Sequence, residues 1–81
     1  MTEPIRMHDI VALLEEVPAE HFATREPLLL IRGEIGTVVM DFKEPVYEVE
    51  FADKDGRTYA MVTLRPDQIL VLRERELSAA A

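Results

Sequence analysis

The chain has 81 residues, 48% of them hydrophobic, and no cysteine, so it is read as one folded domain without disulfides or thiolate-bound metal. Its 16 acidic and 9 basic residues give a net charge of −7, and such a surface repels the phosphates to which nucleic-acid binders owe most of their affinity. No apolar run reaches the roughly 20 residues of a membrane helix, and Met1–Arg6 lacks the basic-then-apolar pattern of a secretory leader, so a cytoplasmic protein with no membrane contact is expected.

Residues 1–6 are expected to be flexible. From Ile10 to Val17 two periodicities compete. Ile10, Leu13, Leu14 and Val17 have helical spacing, whereas Ile10, Ala12 and Leu14 alternate as a strand. Pro18 ends either element. Residues 18–32 read as a long loop that closes on the apolar run Leu28-Leu29-Leu30-Ile31. Gly33 and Gly36 then bracket the start of a strand rich in β-branched residues, Thr37-Val38-Val39. Glycine inside a strand marks a bulge, a sharp bend or a close backbone approach, and small barrels close at such corners.

Lys43-Glu44-Pro45 is the next turn. Val46–Phe51 alternates, with Tyr47, Val49 and Phe51 on one face and Glu48 and Glu50 on the other. Asp53-Lys54-Asp55-Gly56 reads as a four-residue hairpin loop in which Gly56 supplies a positive φ. That loop pairs Ala52 with Arg57, Val49 with Ala60 and Tyr47 with Val62, and sets Tyr59 outward beside Glu50. Arg65-Pro66-Asp67-Gln68 is a tight turn of 3₁₀ type, Ile69–Leu72 a short last strand, and residues 73–81 a frayed or short helical tail. The strand count and the loop lengths give an all-β fold, a small five-stranded SH3-like barrel over residues 7–72.

Several segments together resemble the small bacterial proteins grouped as domain of unknown function family 4926. They are Asp9–Pro18, Arg32–Val39, Val46–Phe51, Asp55–Ala60 and Thr63–Ile69, spread over roughly residues 7 to 72. The resemblance implies a strand over residues 9–15, and it makes His21 to Leu29 an insertion. The Gly33-x-x-Gly36-x-Val38 spacing also resembles a KOW-like motif, taken here as a barrel signature. The family implies no activity.

The chemistry-bearing residues give little. His8 and His21 lie 13 positions apart without a ligand pattern. Glu15-Glu16 and Glu48/Glu50 read as solvated carboxylates. Ser78, the one serine, lies in the tail and has no Ser/His/Asp arrangement around it. No catalytic residue, cofactor site or metal site is expected. Tyr47, Phe51 and Tyr59 are aromatics that a single-strand binder would stack on, but two of them point to the core. What stands out is an apolar surplus for so small a barrel. Phe22, Leu28, Leu29, Val39, Met40 and Met61, with Tyr59, Glu48 and Glu50, are the interaction candidates. Whether Leu28–Ile31 is an interface or a second small core beneath the loop stays open. The expected function is a non-enzymatic protein-interaction module. One form is an antitoxin-like or accessory subunit masking a basic partner encoded nearby. The alternatives are a self-associating homodimer and a binder of small ligands or nucleic acid.

Overall fold

The computed structural model describes residues 5–43 and 45–73. Among them the chain forms seven strands and a 3₁₀ turn. The strands are β1 (Ile10–Leu13), β2 (Val17–Glu20), β3 (Pro27–Leu30), β4 (Ile35–Asp41), β5 (Tyr47–Ala52), β6 (Thr58–Leu64) and β7 (Ile69–Leu72), and the 3₁₀ turn is Pro66–Gln68. The expectations for residues 1–4, Glu44 and the tail from Glu74 lie outside the described residues. The all-β class and the strand early in the chain stand, and residues 10–13 are extended, not helical.

The five-stranded closed barrel does not stand. One antiparallel sheet has the order β6-β5-β4-β1-β7, and β2 and β3 form a separate two-stranded sheet. Both sheets are open. The two extra strands lie in the segment expected to be a loop, and the reason is the placement of its prolines. His21 N–H bonds to the Glu26 carbonyl at 2.8 Å and closes a β2–β3 hairpin. Pairs in an antiparallel ladder alternate between bonded and non-bonded. Pro18↔Leu29 and Glu20↔Pro27 are therefore non-bonded pairs. Each proline sits where its missing N–H faces away from the partner strand, so the ladder loses nothing.

The hairpin also settles the Leu28–Ile31 run. Leu30 is fully buried and Leu28 packs against the core, whereas Leu29 and Ile31 are exposed. The run alternates as a strand does. Val17 and Leu30 join Val11, Leu13, Val38, Val49, Phe51, Ala60, Leu64 and Ile69 in one core cluster. The hairpin therefore lies across the inner face of the larger sheet.

The β5–β6 register differs from expectation by two residues. Phe51 pairs with Ala60, Val49 with Val62 and Tyr47 with Leu64. The connection holds five residues, 53–57, and the register shifts between Phe51 and Ala52. Asp53 is the cause, because its Oδ1 accepts both Asp55 N–H (2.9 Å) and Arg57 N–H (3.0 Å) and stretches the loop. A shift of two keeps every side chain on its expected face. Val49, Phe51, Ala60 and Leu64 are buried together, and Tyr47 and Val62 pack against them. Tyr59 does not face outward beside Glu50. Met61 takes that place, and the Tyr59 ring turns to Phe51, centroid to centroid 6.5 Å.

Candidate interaction surface

The glycines of the Gly33–Val39 stretch act in two different ways. Gly33 has φ +93°, and an added Cβ would meet nothing within 4 Å, so it serves the turn before β4. Gly36 is a close approach. A Cβ there would lie 2.7 Å from Val49 Cγ1 and 2.9 Å from both the Glu50 carbonyl oxygen and Phe51 Cε2. The bulge of β4 comes later, where its register on β5 shifts between Val38 and Met40. Val39 is the extra residue there and is half-buried.

Glu34, between these glycines, is a junction. Its Oε2 accepts Ile31 N–H at 2.6 Å, its Oε1 accepts the Tyr59 hydroxyl at 2.8 Å, and its carbonyl accepts Leu13 N–H at 2.9 Å. One residue thus ties β1, the exit of β3 and β6. Burial, then the bond to Glu34 and the charges of Glu34 and Asp53, push the Tyr59 phenol up to about 12. With both carboxylate oxygens accepting, the pair is a latch.

The outer face of the five-stranded sheet follows from the registers, because residues directly opposite share a face. One row reads Leu72, Ile10, Thr37, Glu50, Met61 across all five strands. A second reads Leu70, Ala12, Ile35, and a third Met40, Glu48, Thr63. The face is divided. Towards β7 it is apolar, with Ile10, Ile35, Leu70 and Leu72 at 42%, 49%, 51% and 39% exposure. Towards β6 it carries Glu48, which accepts the Thr63 hydroxyl at 2.7 Å, and Glu50, which accepts that of Thr58.

The sequence-derived candidates are scattered over this frame. Met40, Met61, Glu48 and Glu50 share the outer face, Met40 and Met61 exposed and the two carboxylates half-buried. Leu29 is exposed on β3, and Phe22, 54% exposed, stands on the hairpin loop. Leu28 and Tyr59 pack on the core instead. The apolar half of the outer face was missed altogether. Its signal was present, since Ile10-Val11-Ala12-Leu13 and Ile69-Leu70-Val71-Leu72 are apolar at every position. A strand apolar on both faces usually has both faces covered.

His21 Nδ1 accepts the amides of Ala23 (3.1 Å) and Thr24 (3.3 Å), which orders the hairpin loop. Among the described residues no helix is long and apolar enough to cross a membrane. The arrangement offers surface for contact: an apolar field bordered by carboxylates, next to a bare sheet edge. The family model described as Domain of unknown function (DUF4926) matches residues 7–71, and the chain belongs to that family. No curated protein and no solved structure matches the chain.

Proposed function

We propose that this member of the DUF4926 family is a non-enzymatic protein-binding module that docks a partner on the outer face of its five-stranded sheet. The observation that carries the reading is the division of that face. Contiguous exposed apolar side chains mark interaction sites. Ile10, Ile35, Leu70 and Leu72 supply such a field, and Glu48 and Glu50 border it. A matching partner presents an apolar patch with Lys or Arg on one flank. Apolar contact then supplies the affinity, and charge supplies orientation and rate. An accessory subunit that masks a basic protein is the form this module takes.

The test is co-purification from the native host, followed by association kinetics at low and high salt. One stoichiometric partner is expected, binding more slowly as salt rises. Leu70→Asp and Ile35→Asp, which place a charge in the apolar field, should weaken binding at least tenfold, about 1.4 kcal/mol or more. Asp55→Ala, in the β5–β6 loop, should leave it unchanged. Equal binding by all three variants refutes the proposal.

A second reading has its own support. The edge strand β7 is Ile69-Leu70-Val71-Leu72, with none of the charges, prolines or bulges that usually protect an edge. Two copies pairing β7 to β7 would join their apolar fields into one. Light scattering over a concentration series distinguishes it, since a stable monomer at high micromolar concentration rules it out.

A further inference from the structure

A second site lies on the opposite edge of the sheet, where the barrel fails to close. The free edge of β6 faces the free edge of β2. Among the described residues one backbone hydrogen bond bridges them, from Phe22 N–H to the Tyr59 carbonyl, 2.8 Å. Beyond it the strands part around a cleft of about 330 Å³, walled by Ala19, Glu20 and Phe22 on one side and Met61, Val62 and Thr63 on the other.

The alternation of the ladders identifies the backbone groups that face this cleft. Phe42 N–H bonds to the Val46 carbonyl, so Val46, Glu48 and Glu50 turn their backbone groups toward β4. Tyr47, Val49 and Phe51 then bond to Leu64, Val62 and Ala60. This leaves the N–H and C=O groups of Met61 and Thr63 pointing into the cleft. On the other wall the His21–Glu26 bond turns odd-numbered residues of β2 to β3. The N–H and C=O of Glu20 and the C=O of Pro18 therefore face the cleft as well. Two walls of ladder-spaced donors and acceptors are complementary to an extended backbone.

We propose that the β2–β6 cleft binds an extended peptide segment in which apolar residues alternate with Lys or Arg, and that the segment adds as the strand which completes the sheet. Both components of the pattern come from the walls. On the inward side an added strand meets Ala19 and Val62, both packed against the core. On the outward side it runs beside Glu20, and beyond Met61 and Thr63 stand their β5 neighbours Glu50 and Glu48. Arg25, 3.7 Å from Glu20, is the one cation lining the cleft. The site is distinct from the apolar field near β7 and makes its own demand on the ligand, a backbone able to donate and accept.

The test uses the full chain labelled with ¹⁵N and the blocked peptide acetyl-Lys-Val-Lys-Val-Lys-amide. In the protein alone the amides of Glu20, Met61 and Thr63 should exchange rapidly with solvent. Peptide should shift them saturably and slow their exchange at least about tenfold. Methylating both valine nitrogens of the peptide, or replacing its lysines with glutamate, should weaken binding about tenfold or more. Met61→Pro removes one cleft-facing N–H and leaves the β5 ladder untouched, so it should weaken binding similarly. Glu20→Lys should do the same through charge and keeps the test decisive if the proline variant does not fold. The proposal is overturned if the three amides are already protected in the protein alone. It is equally overturned if the peptide does not bind, if the methylated peptide binds as well as the parent, or if the shifts fall on Ile10, Ile35 and Leu70 instead.

Discussion

Replacing Gly36 with alanine tests the packing of the inner face directly. Carbon atoms in contact sit about 3.5–4.0 Å apart, so a methyl 2.7 Å from Val49 Cγ1 and 2.9 Å from Phe51 Cε2 and the Glu50 carbonyl is too close to all three. Val49 can turn its side chain. The Glu50 carbonyl cannot move independently, because it belongs to β5, which is paired on both sides. Phe51 is fully buried. Overpacking a core costs about 1–3 kcal/mol, and a backbone collision belongs in the upper half of that range. The lower entropy of the unfolded alanine chain returns about 0.4–1 kcal/mol. The net loss is about 2 kcal/mol, which for a domain of this size lowers the melting temperature by about 8–16 °C. Urea and thermal unfolding followed by circular dichroism measure it. Gly33→Ala is the comparison, since its cost comes from positive φ alone, about 1–2 kcal/mol. Trimming Val49 to alanine relieves one collision. In that background Gly36→Ala should cost at least about 0.5 kcal/mol less than in the native chain, whereas the Gly33→Ala cost should not change. A Gly36→Ala protein within about 0.5 kcal/mol of the native chain, or one equally destabilised in both backgrounds, refutes the argument.

Tyr59 makes stability depend on alkaline pH. Its folded pKa, about 12, lies above the ordinary value near 10, so the fold favours the neutral phenol. The contribution is complete below pH 10 and is lost as pH rises from 10 to 12. Tyr59→Phe should be less stable at neutral pH and should lose less between those limits, as chemical denaturation across the range will show. Leu30→Ala should cost about 2–5 kcal/mol, because the residue is a core member of the hairpin and not part of a surface loop. A loss below about 0.5 kcal/mol would place the hairpin outside the cooperative unit. His21→Ala should speed exchange of the Ala23 and Thr24 amides and leave those of the core strands unaffected, measured by hydrogen exchange.

Where local chemistry and periodicity agree, the fold is legible in the residues. The β5 alternation placed every side chain on its true face. The register of β5 on β6 was not legible, because it depends on whether the Asp53 carboxylate reaches the amides of Asp55 and Arg57. The hairpin was hidden by its prolines. Proline forbids a strand only where the ladder needs its N–H, and which pairs are bonded is decided by a contact, His21 to Glu26, that no single residue announces. Closure was overestimated for a similar reason, since five short strands satisfy the sequence pattern whether or not β2 and β6 meet. The surplus of apolar residues was legible as a quantity but not as a place. Phe22, Leu28 and Leu29 were counted toward it, while Ile10, Leu70 and Leu72 were assigned to the core, because a continuously apolar strand does not reveal which of its faces is left uncovered.

The pairing of β1 with β7 brings together residues from opposite ends of the described chain, Ile10 against Leu72, with Asp9 and Arg73 joined at 3.0 Å beside them. During synthesis β1 exists long before β7 does. Until Ile69–Leu72 leaves the ribosome, the nascent chain has an unpaired β1 edge and a core missing one wall. Contacts of such long sequence separation are slow to form, so the interval is one in which a chaperone, or another copy emerging from a neighbouring ribosome, competes for the place that β7 will take.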